Sequence, residues 1–182
     1  MRKVIISTMM TLDAVIENPQ NWSFDYANEE LMQYASEQLL AADALIMGRE
    51  TYQGFSEAWS SRAGSNAFAD RMNALPKYVA SRTLSEPLSW NAALLKGDAA
   101  SEIAQLKTQG SGILLQYGCG EFTQTLLEHD LIDELRLLVY PVVAGGGQRL
   151  FEKLNMTKFT LLSATPLSTG VMTLHYQPVA KG

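Results

Sequence analysis

A glycine followed by an arginine and a threonine marks the first place where this sequence could bind an anion. Residues 45–52 run from a continuous apolar stretch through Gly48 into a helix-forming segment that carries Arg49 and Thr51. A glycine lets the backbone turn there, and the amides at the start of the helix then point at any ligand beyond the turn. A guanidinium and a hydroxyl beside those amides suit a phosphate group, although an isolated arginine is more often a solvated surface residue.

A second turn of this kind spans residues 116–122. Gly118, Cys119 and Gly120 separate an apolar stretch from a helix-forming segment that begins at Glu121. The backbone amides of such a turn can receive a pyrophosphate because no bulky side chain shields them. Taken alone, however, a glycine pair is weak evidence, and a tight strand-to-helix connection explains this segment better.

A third segment adds to these two turns. Residues 77–83 predict a short strand that ends in Ser81, Arg82 and Thr83. Because ligands in open α/β sheets bind beyond the carboxyl ends of the strands, three anion-suited strand ends point to one shared site. Two separate arginines, Arg49 and Arg82, suit a ligand with phosphates at two places, and NADPH is such a ligand. The residues alone therefore favour a site for a phosphorylated nucleotide.

The elements that must hold these turns follow from the hydrophobic pattern. Short apolar runs predict strands at residues 3–7, 44–47, 78–80, 113–115 and 135–143. Capped or amphipathic stretches predict helices at residues 28–41, from about residue 50, and at 65–73, 98–110 and 121–129. Residues 159–162 and 171–176 predict a closing antiparallel pair, and Pro141 predicts a bulge or an edge position for the strand that contains it.

Strands that alternate with helices, followed by strands without helices, predict an α/β fold. We expect three layers, with a mostly parallel central sheet and antiparallel C-terminal strands. The chain has 182 residues, 47% of them hydrophobic and 18% charged, which is typical of one folded domain. A single domain over residues 1–182 is therefore expected.

The charge and the cysteine content exclude several classes of function. A net charge of -5 argues against binding nucleic acid by bulk electrostatics. No apolar run approaches the roughly 18 residues of a membrane helix, so no membrane partner is expected and the cytoplasm is the default location. With one cysteine, Cys119, and two distant histidines, His129 and His175, neither a disulfide nor a metal site is expected. Both histidines are interpreted as structural.

Taken together, these motifs resemble a known superfamily over nearly the whole chain. Residues 45–52 are similar to the strand–turn–helix of dihydrofolate reductases, and residues 79–84 resemble the strand end that follows it in that family. Residues 117–120 lie where the family keeps a glycine run. Residues 131–151 are closer to a sister group, the reductase domain of the bifunctional riboflavin-biosynthesis deaminase–reductase and its stand-alone relatives. The start of the chain, with Ser7, Leu12 and Asp13, echoes that group as well.

The resemblance implies a dihydrofolate-reductase-like fold that binds NADPH and passes hydride to a small pterin- or riboflavin-precursor-like substrate. It also implies a homodimer formed through the C-terminal strands. The arginine and threonine of the first turn would contact NADPH phosphates, the second strand end would cradle the adenosine 2′-phosphate, and the glycine run would face the pyrophosphate. The implied cofactor-binding residues are Gly48, Arg49, Thr51, Ser81, Arg82, Gly118, Cys119, Gly120 and Glu121.

On the substrate side, the candidates are Asp13, Trp22 and Asp25, and the two aspartates are the candidate catalytic residues. A carboxyl group in an apolar pocket beside Trp22 would have a raised pKa and could deliver the proton that accompanies the hydride. Three departures from the family keep alternatives open. Ala14 replaces a glycine, Cys119 interrupts the glycine run, and no acidic residue maps onto the first helix where dihydrofolate reductases carry one. The alternatives are weak dihydrofolate reduction and a nucleotide-binding module without catalysis.

Overall fold

A computed structural model describes residues 1–152 and 154–180, and within them the chain forms one mixed sheet of eight strands. In chain order the strands are β1 (Arg2–Met10), β2 (Ala44–Gly48), β3 (Lys77–Ala80), β4 (Ala92–Leu94), β5 (Gly112–Tyr117), β6 (Glu134–Val139), β7 (Phe159–Pro166) and β8 (Met172–Pro178). Their order across the sheet is β4-β3-β2-β5-β1-β6-β8-β7. The first six strands are mutually parallel, and β8 pairs antiparallel with both β6 and β7.

Five α-helices in the described residues connect these strands. They are α1 (Glu29–Ala41), α2 (Arg49–Trp59), α3 (Ala67–Ala74), α4 (Ala99–Thr108) and α5 (Glu121–Glu128). Three of them begin at a side-chain cap: Asn28, Asn66 and Asp98 accept hydrogen bonds from backbone amides three residues further on. Such caps satisfy amides that have no partner inside the helix, which is why the helices start at these residues.

Apolar residues on both faces of the sheet produce the three-layer arrangement. On one face of β1, Val4 and Ile6 pack in a cluster that includes Leu126 of α5. On the other face, Ile5 packs in a cluster that includes Leu39 of α1 and Met72 of α3. A strand buried on both faces needs a continuous apolar sequence, as β1 has. The expected α/β fold, with a mostly parallel sheet and an antiparallel C-terminal pair, is confirmed.

Two details of the strand prediction are wrong. The strand expected at residues 135–143 ends at Val139, and it lies between β1 and β8 in the interior of the sheet, so Pro141 marks neither a bulge nor an edge. Beyond the strand, the Tyr140 amide still donates to the Met10 carbonyl, and the Leu12 amide donates to Val142. Proline has no amide hydrogen and is tolerated between these bonds. The three-residue strand β4 was not predicted, because its apolar run is too short to give a pattern.

An ion pair joins three elements on the α4 side of the sheet. The Asp133 carboxylate accepts hydrogen bonds from the Val4 amide at 2.7 Å and from the Lys107 ammonium group. Lys107 also donates to the Leu131 carbonyl at 2.8 Å. These bonds tie the end of α4 and the segment before β6 to the start of β1, so they fix where the parallel strands begin.

A second lysine is buried without this compensation. Lys77, at the start of β3, is 1% exposed, and its Nζ donates to the Asn73 carbonyl at 2.8 Å. The same atom lies 4.2 Å from the centre of the Trp90 ring. Burial disfavours the charged ammonium form and lowers the pKa of Lys77 to about 8. The lysine therefore loses its proton more easily in the folded chain than in the unfolded one.

This difference predicts a pH dependence of stability. Between pH 8 and 10.5 the unfolded chain binds more protons at this residue than the folded chain, so the Lys77 contribution to stability rises with pH through that window. Replacement by methionine in Lys77→Met removes the rise. We expect urea midpoints measured across the window to shift in favour of the wild type, relative to Lys77→Met, as the pH increases. The exposed lysine in Lys96→Met is the control, and curves for wild type and Lys77→Met that stay parallel would contradict the assignment.

Candidate cofactor and substrate site

The fold brings the three predicted anion-binding segments to one edge of the sheet. Strands β3, β2 and β5 are neighbours, and Gly48 pairs with Ala80 in register. The residues after these two strands therefore lie side by side, and Arg49 Nη1 donates to Thr83 Oγ1 at 3.4 Å. A side chain built on Gly48 would meet the Cβ of Phe122 in α5 at 3.8 Å, so the third turn adjoins the other two.

The first turn leaves the start of α2 open to a ligand. Gly48 occupies the N-cap position and offers no side chain to the amides that follow. Orphan amides at a helix start carry a partial positive charge and suit an anion. Arg49 is half-exposed and lies 3.6 Å from the Glu50 carboxylate. Since an exposed ion pair of this kind is worth about 0–1 kcal/mol, Glu50 does not prevent Arg49 from binding a phosphate. Thr51 lies partly buried in the same first turn.

The second strand end carries an exposed arginine on a turn that is fixed by two hydrogen bonds. Ser81 Oγ accepts hydrogen bonds from the amides of Thr83 and Leu84, at 3.2 and 3.0 Å. These two bonds fix the backbone between them. Arg82, in the middle of this turn, is exposed to solvent. The arrangement suits a phosphate that lies outside the sheet edge, where a long planar side chain can reach it from solvent.

The turn before α5 is fixed by hydrogen bonds to β1 and α5, and the space beside its glycines is empty. The Gly118 amide donates to the Ser7 carbonyl at 2.9 Å, and the buried Thr123 hydroxyl accepts from the Gly120 amide and from Gln116 Nε2. Side chains built on Gly118 or Gly120 would meet no atom within 4 Å, so the space over the turn is free for a ligand. Gly118 has a φ of 74°, a conformation that glycine adopts most easily.

Cys119 and Glu121 complete this turn. Burial raises the pKa of the Cys119 thiol to about 12, so the sulfur stays protonated and inert at neutral pH. Cys119 would therefore contribute its backbone and the volume of its side chain to a ligand site, and no thiol chemistry. Glu121 is the first residue of α5 and is exposed.

Asp13 lies in the loop after β1, where its carboxylate joins two loops. It accepts hydrogen bonds from Thr11 Oγ1 at 2.6 Å and from the amides of Ala144 and Gly145 at 3.0 and 2.9 Å. These bonds, with that from Thr11 the largest contribution, lower the pKa of Asp13 to about 2. The carboxyl group is therefore ionised at neutral pH and has no proton to donate. Its geometry fits a structural acceptor that fixes the loop beside the site.

Trp22 and Asp25 lie further along the same connection, between β1 and α1, and their environments differ. The Trp22 ring packs edge-on against Tyr140 at 5.2 Å, and Tyr26 packs against the same ring at 5.7 Å. Phe24 is 71% exposed, and Asp25 is exposed beside it. The apolar pocket expected around Asp25 is not formed, because the aromatic rings turn away towards Tyr140. A catalytic role for Asp25 stays a prediction.

A cavity of about 320 Å³ lies between residues 15–22 of this connection and the loop at residues 144–146, whose amides bind Asp13. Its lining includes Trp22, Glu17, Asn18, Asn21 and Gly146. Polar side chains beside an indole ring can bind a small polar molecule. Among the described residues, no three His, Cys, Asp or Glu side chains lie close enough together to hold a metal ion. Within the same part of the chain, no helix is both long and apolar enough to cross a membrane.

The structure also contains a polar cluster that sequence reasoning missed. His175 Nε2 lies 2.9 Å from the Tyr34 hydroxyl, and His175 Nδ1 lies 3.2 Å from Glu134 Oε1. Arg136 Nε donates to the same Glu134 oxygen at 2.7 Å. The hydrogen bond from His175, the largest cause, lowers the pKa of Glu134 to about 2, and burial raises that of Tyr34 to about 12.

The signal in the sequence was slight. Glu134 and Arg136 are charged residues at alternate positions of an otherwise apolar strand, which marks one face of β6 as polar. Their partners, Tyr34 and His175, are distant in the chain. The antiparallel register of β8, which decides that His175 faces Arg136, could not be obtained from the hydrophobic pattern.

Comparison with known proteins agrees with the fold. A sequence of an uncharacterized protein, YyaP, of Bacillus subtilis (strain 168) is 26% identical over 186 residues, covering 96% of this chain and 94% of the relative. The crystal structure of a putative riboflavin biosynthesis protein from Shewanella sp. PV-4 matches with a TM-score of 0.78 and 24% identity, over 98% of this chain and 99% of that one.

A longer enzyme contains the same fold as one part. The Thermotoga maritima diaminohydroxyphosphoribosylaminopyrimidine deaminase/5-amino-6-(5-phosphoribosylamino)uracil reductase matches with a TM-score of 0.68 and 15% identity, over 98% of this chain and 57% of that enzyme. The sequence profile of the RibD C-terminal domain matches residues 2–173 of this chain. On this match across nearly its whole length, the protein belongs to the RibD C-terminal domain family, the reductase-like branch of the dihydrofolate-reductase-like fold.

Proposed function

We propose that this protein is an NADPH-dependent reductase that passes hydride to a small pterin- or riboflavin-precursor-like substrate. The observation that carries the proposal is the meeting of three anion-suited strand ends at one edge of the sheet, where Arg49 contacts Thr83. Membership of a family whose longer relatives include a 5-amino-6-(5-phosphoribosylamino)uracil reductase supports this assignment.

The residues present fit such a cofactor. The uncapped start of α2 offers backbone amides to a pyrophosphate, and the open space above Gly118 and Gly120 leaves room for it beside the second turn. Arg82 offers a second, separate cation for a 2′-phosphate. When bound, NADPH supplies the hydride. Gly48, Arg49, Thr51 and the Ser81–Arg82 turn would hold one part of it, and residues 118–121 the other.

On the substrate side, the protein has to orient a small acceptor and exclude water. The cavity of about 320 Å³ beside Trp22 is the candidate space, and the Asp13 carboxylate keeps one of its walls in place. Two alternatives to this function can be distinguished by experiment. Weak dihydrofolate reduction would give turnover with a different substrate, and a non-catalytic module would bind NADPH without turnover.

The cofactor assignment predicts the behaviour of two arginine variants. We expect wild type to bind NADPH more tightly than NADH in a fluorescence titration. Arg82→Ala should erase this preference, and Arg49→Ala should weaken NADPH binding by about 10- to 100-fold, the loss of one hydrogen bond between charged groups. Arg62→Ala, three residues beyond the far end of α2, is the matched control and should bind like wild type. No binding of either nucleotide by folded protein would refute the proposal.

The substrate assignment predicts selective turnover. We expect NADPH absorbance to fall when wild type is mixed with 5-amino-6-(5-phosphoribosylamino)uracil, and to fall more slowly with dihydrofolate. Dihydrofolate as the better substrate would instead favour the weak dihydrofolate reductase. NADPH binding without turnover of either compound would favour the non-catalytic module.

We also propose that the protein forms a homodimer through its C-terminal strands. β7 is an edge strand of eight residues whose side chains are exposed along nearly its whole length. It contains no charged residue, and Leu161 and Leu162 are 51% and 52% exposed. Long uncharged edges invite pairing with another strand, and a second copy of this chain would cover this one.

The dimer has a direct test in solution. We expect light scattering to give the mass of a dimer for the wild type and of a monomer for Leu161→Lys, because a buried ammonium group would destabilise the interface. Leu40→Lys, on the surface of α1 where Leu40 is 60% exposed, is the control and should remain a dimer. A monomeric wild type at micromolar concentration would refute this assignment.

A further inference from the structure

The charged side chains around the proposed site fall into two sets of opposite sign. Arg49 and Arg82 lie at the strand ends that are proposed to hold the nucleotide. Arg149 donates to the Asp13 carbonyl at 3.1 Å and borders a small crevice at the start of α5. By contrast, of the described residues that line the cavity of about 320 Å³, Glu17 alone is charged. A phosphate group is attracted by the first set and repelled by Glu17.

The Glu17 carboxylate has a fixed position at the wall of this cavity. The Ile16 amide donates to the Gln148 carbonyl at 2.9 Å, and the Gln148 amide donates to Glu17 Oε2 at 2.9 Å. A Cβ built on Gly147 would lie 3.0 Å from the same oxygen, so the carboxylate packs closely against the backbone of the facing loop. Among the described residues Glu17 Oε1 has no hydrogen-bond partner, and it can accept a donor from a ligand.

Trp22 supplies an aromatic wall to the same cavity. Its Nε1 donates to the Glu17 carbonyl at 3.2 Å, and its ring packs edge-on against Tyr140 at 5.2 Å, so its orientation is fixed. The side-chain amides of Asn18 and Asn21 add hydrogen-bond donors and acceptors. Ligand pockets span about 300–1,000 Å³, so this cavity has the size for one small ring system. An indole face with acceptors beside it suits a planar ring that carries N–H or O–H donors.

A second carboxylate acts in the same sense as Glu17. Asp13 binds the amides of Ala144 and Gly145, and Ala144 lines the cavity. Hydrogen bonds, that from Thr11 the largest, lower the pKa of Asp13 to about 2, so the group is negatively charged at neutral pH. A phosphate ester carries a charge of about -1.5 to -2 at pH 7. A phosphorylated ligand in the cavity would therefore place like charges close together.

We propose that the cavity binds the ring of an unphosphorylated substrate, with Trp22 as the contact for the ring and Glu17 as the residue that disfavours phosphate esters. The proposal rests on the reductase function proposed above and narrows its substrate class. The substrate is a neutral or cationic heteroaromatic compound with amino or hydroxyl groups, one of which donates to Glu17 Oε1. The phosphates of the nucleotide bind at the arginines of the other half of the site.

The first test compares two ligands that differ only in a phosphate. Calorimetry on nucleotide-free wild type should show that 5-amino-6-(ribosylamino)uracil binds about 10-fold more tightly than 5-amino-6-(5-phosphoribosylamino)uracil, because the phosphate meets the charge of Glu17. Glu17→Gln keeps an oxygen for the Gln148 amide and removes the charge, so the two affinities should come within about 3-fold of each other. The control is Glu57→Gln, an exposed glutamate of α2 outside the cavity lining, which should keep the wild-type ratio.

Ionic strength and the indole ring give two independent measurements. Raising the ionic strength from about 0.05 M to about 0.5 M should reduce the affinity ratio of the two ligands in wild type and leave it nearly unchanged in Glu17→Gln. Trp22→Leu should weaken the binding of both ligands by about 10-fold and preserve their ratio, because it removes the ring contact and leaves the carboxylate. Circular dichroism spectra like that of wild type establish that the variants are folded.

The ligand class and the reductase function fail in different ways. Equal or tighter binding of the phosphorylated compound by wild type, or a wild-type ratio in Glu17→Gln, would overturn the proposed ligand class. Failure of wild type to bind either compound would overturn it as well, even with normal NADPH binding. Loss of NADPH binding would instead refute the reductase function, and the affinity ratio measured without nucleotide would still decide which ligand the cavity prefers.

Discussion

Strand β1 is the element on which the arrangement of the site depends. It lies between β5 and β6, and its apolar residues are buried on both faces of the sheet. At one end, the Val4 amide is bound to Asp133, and at the other the Ser7 carbonyl accepts the Gly118 amide. Since a shift of one residue would turn every side chain of the strand to the other face, this register is strongly determined. It therefore sets the position of the glycine turn and, through the pairing of Ser7 with Arg136, that of the polar cluster on β6.

The proposed site divides between two kinds of structure. The proposed nucleotide half consists of strand ends and helix starts, where backbone amides and two arginines would bind the ligand. The proposed substrate half consists of loops. Backbone geometry determines the first half, whereas the second depends on tertiary contacts such as those between Asp13 and the amides of Ala144 and Gly145.

This division explains how much the sequence could predict. Gly48, Arg49, Ser81 and Arg82 could be predicted as candidate residues because a strand, a turn and a helix start are local features with local signals. Their convergence followed from the rule that parallel strands end at one edge. Asp13 was expected to face the substrate, but its carboxylate accepts amides from residues more than 130 positions away, which no local pattern encodes. The cluster around His175 was missed for the same reason, since its partners depend on the register of β8.

The join between the two substrate-side loops uses carboxylates on one side and main-chain amides on the other. Asp13 binds the amides of Ala144 and Gly145, and Glu17 binds the amide of Gln148. A main-chain donor is the same whatever side chain the residue carries, except proline. The join therefore constrains the side chains of residues 144–148 chiefly at Gly145 and Gly147, whose φ angles of 78° and 115° favour glycine. At the other positions of that loop, a substitution can change the shape of the cavity wall while the hydrogen bonds of the join remain.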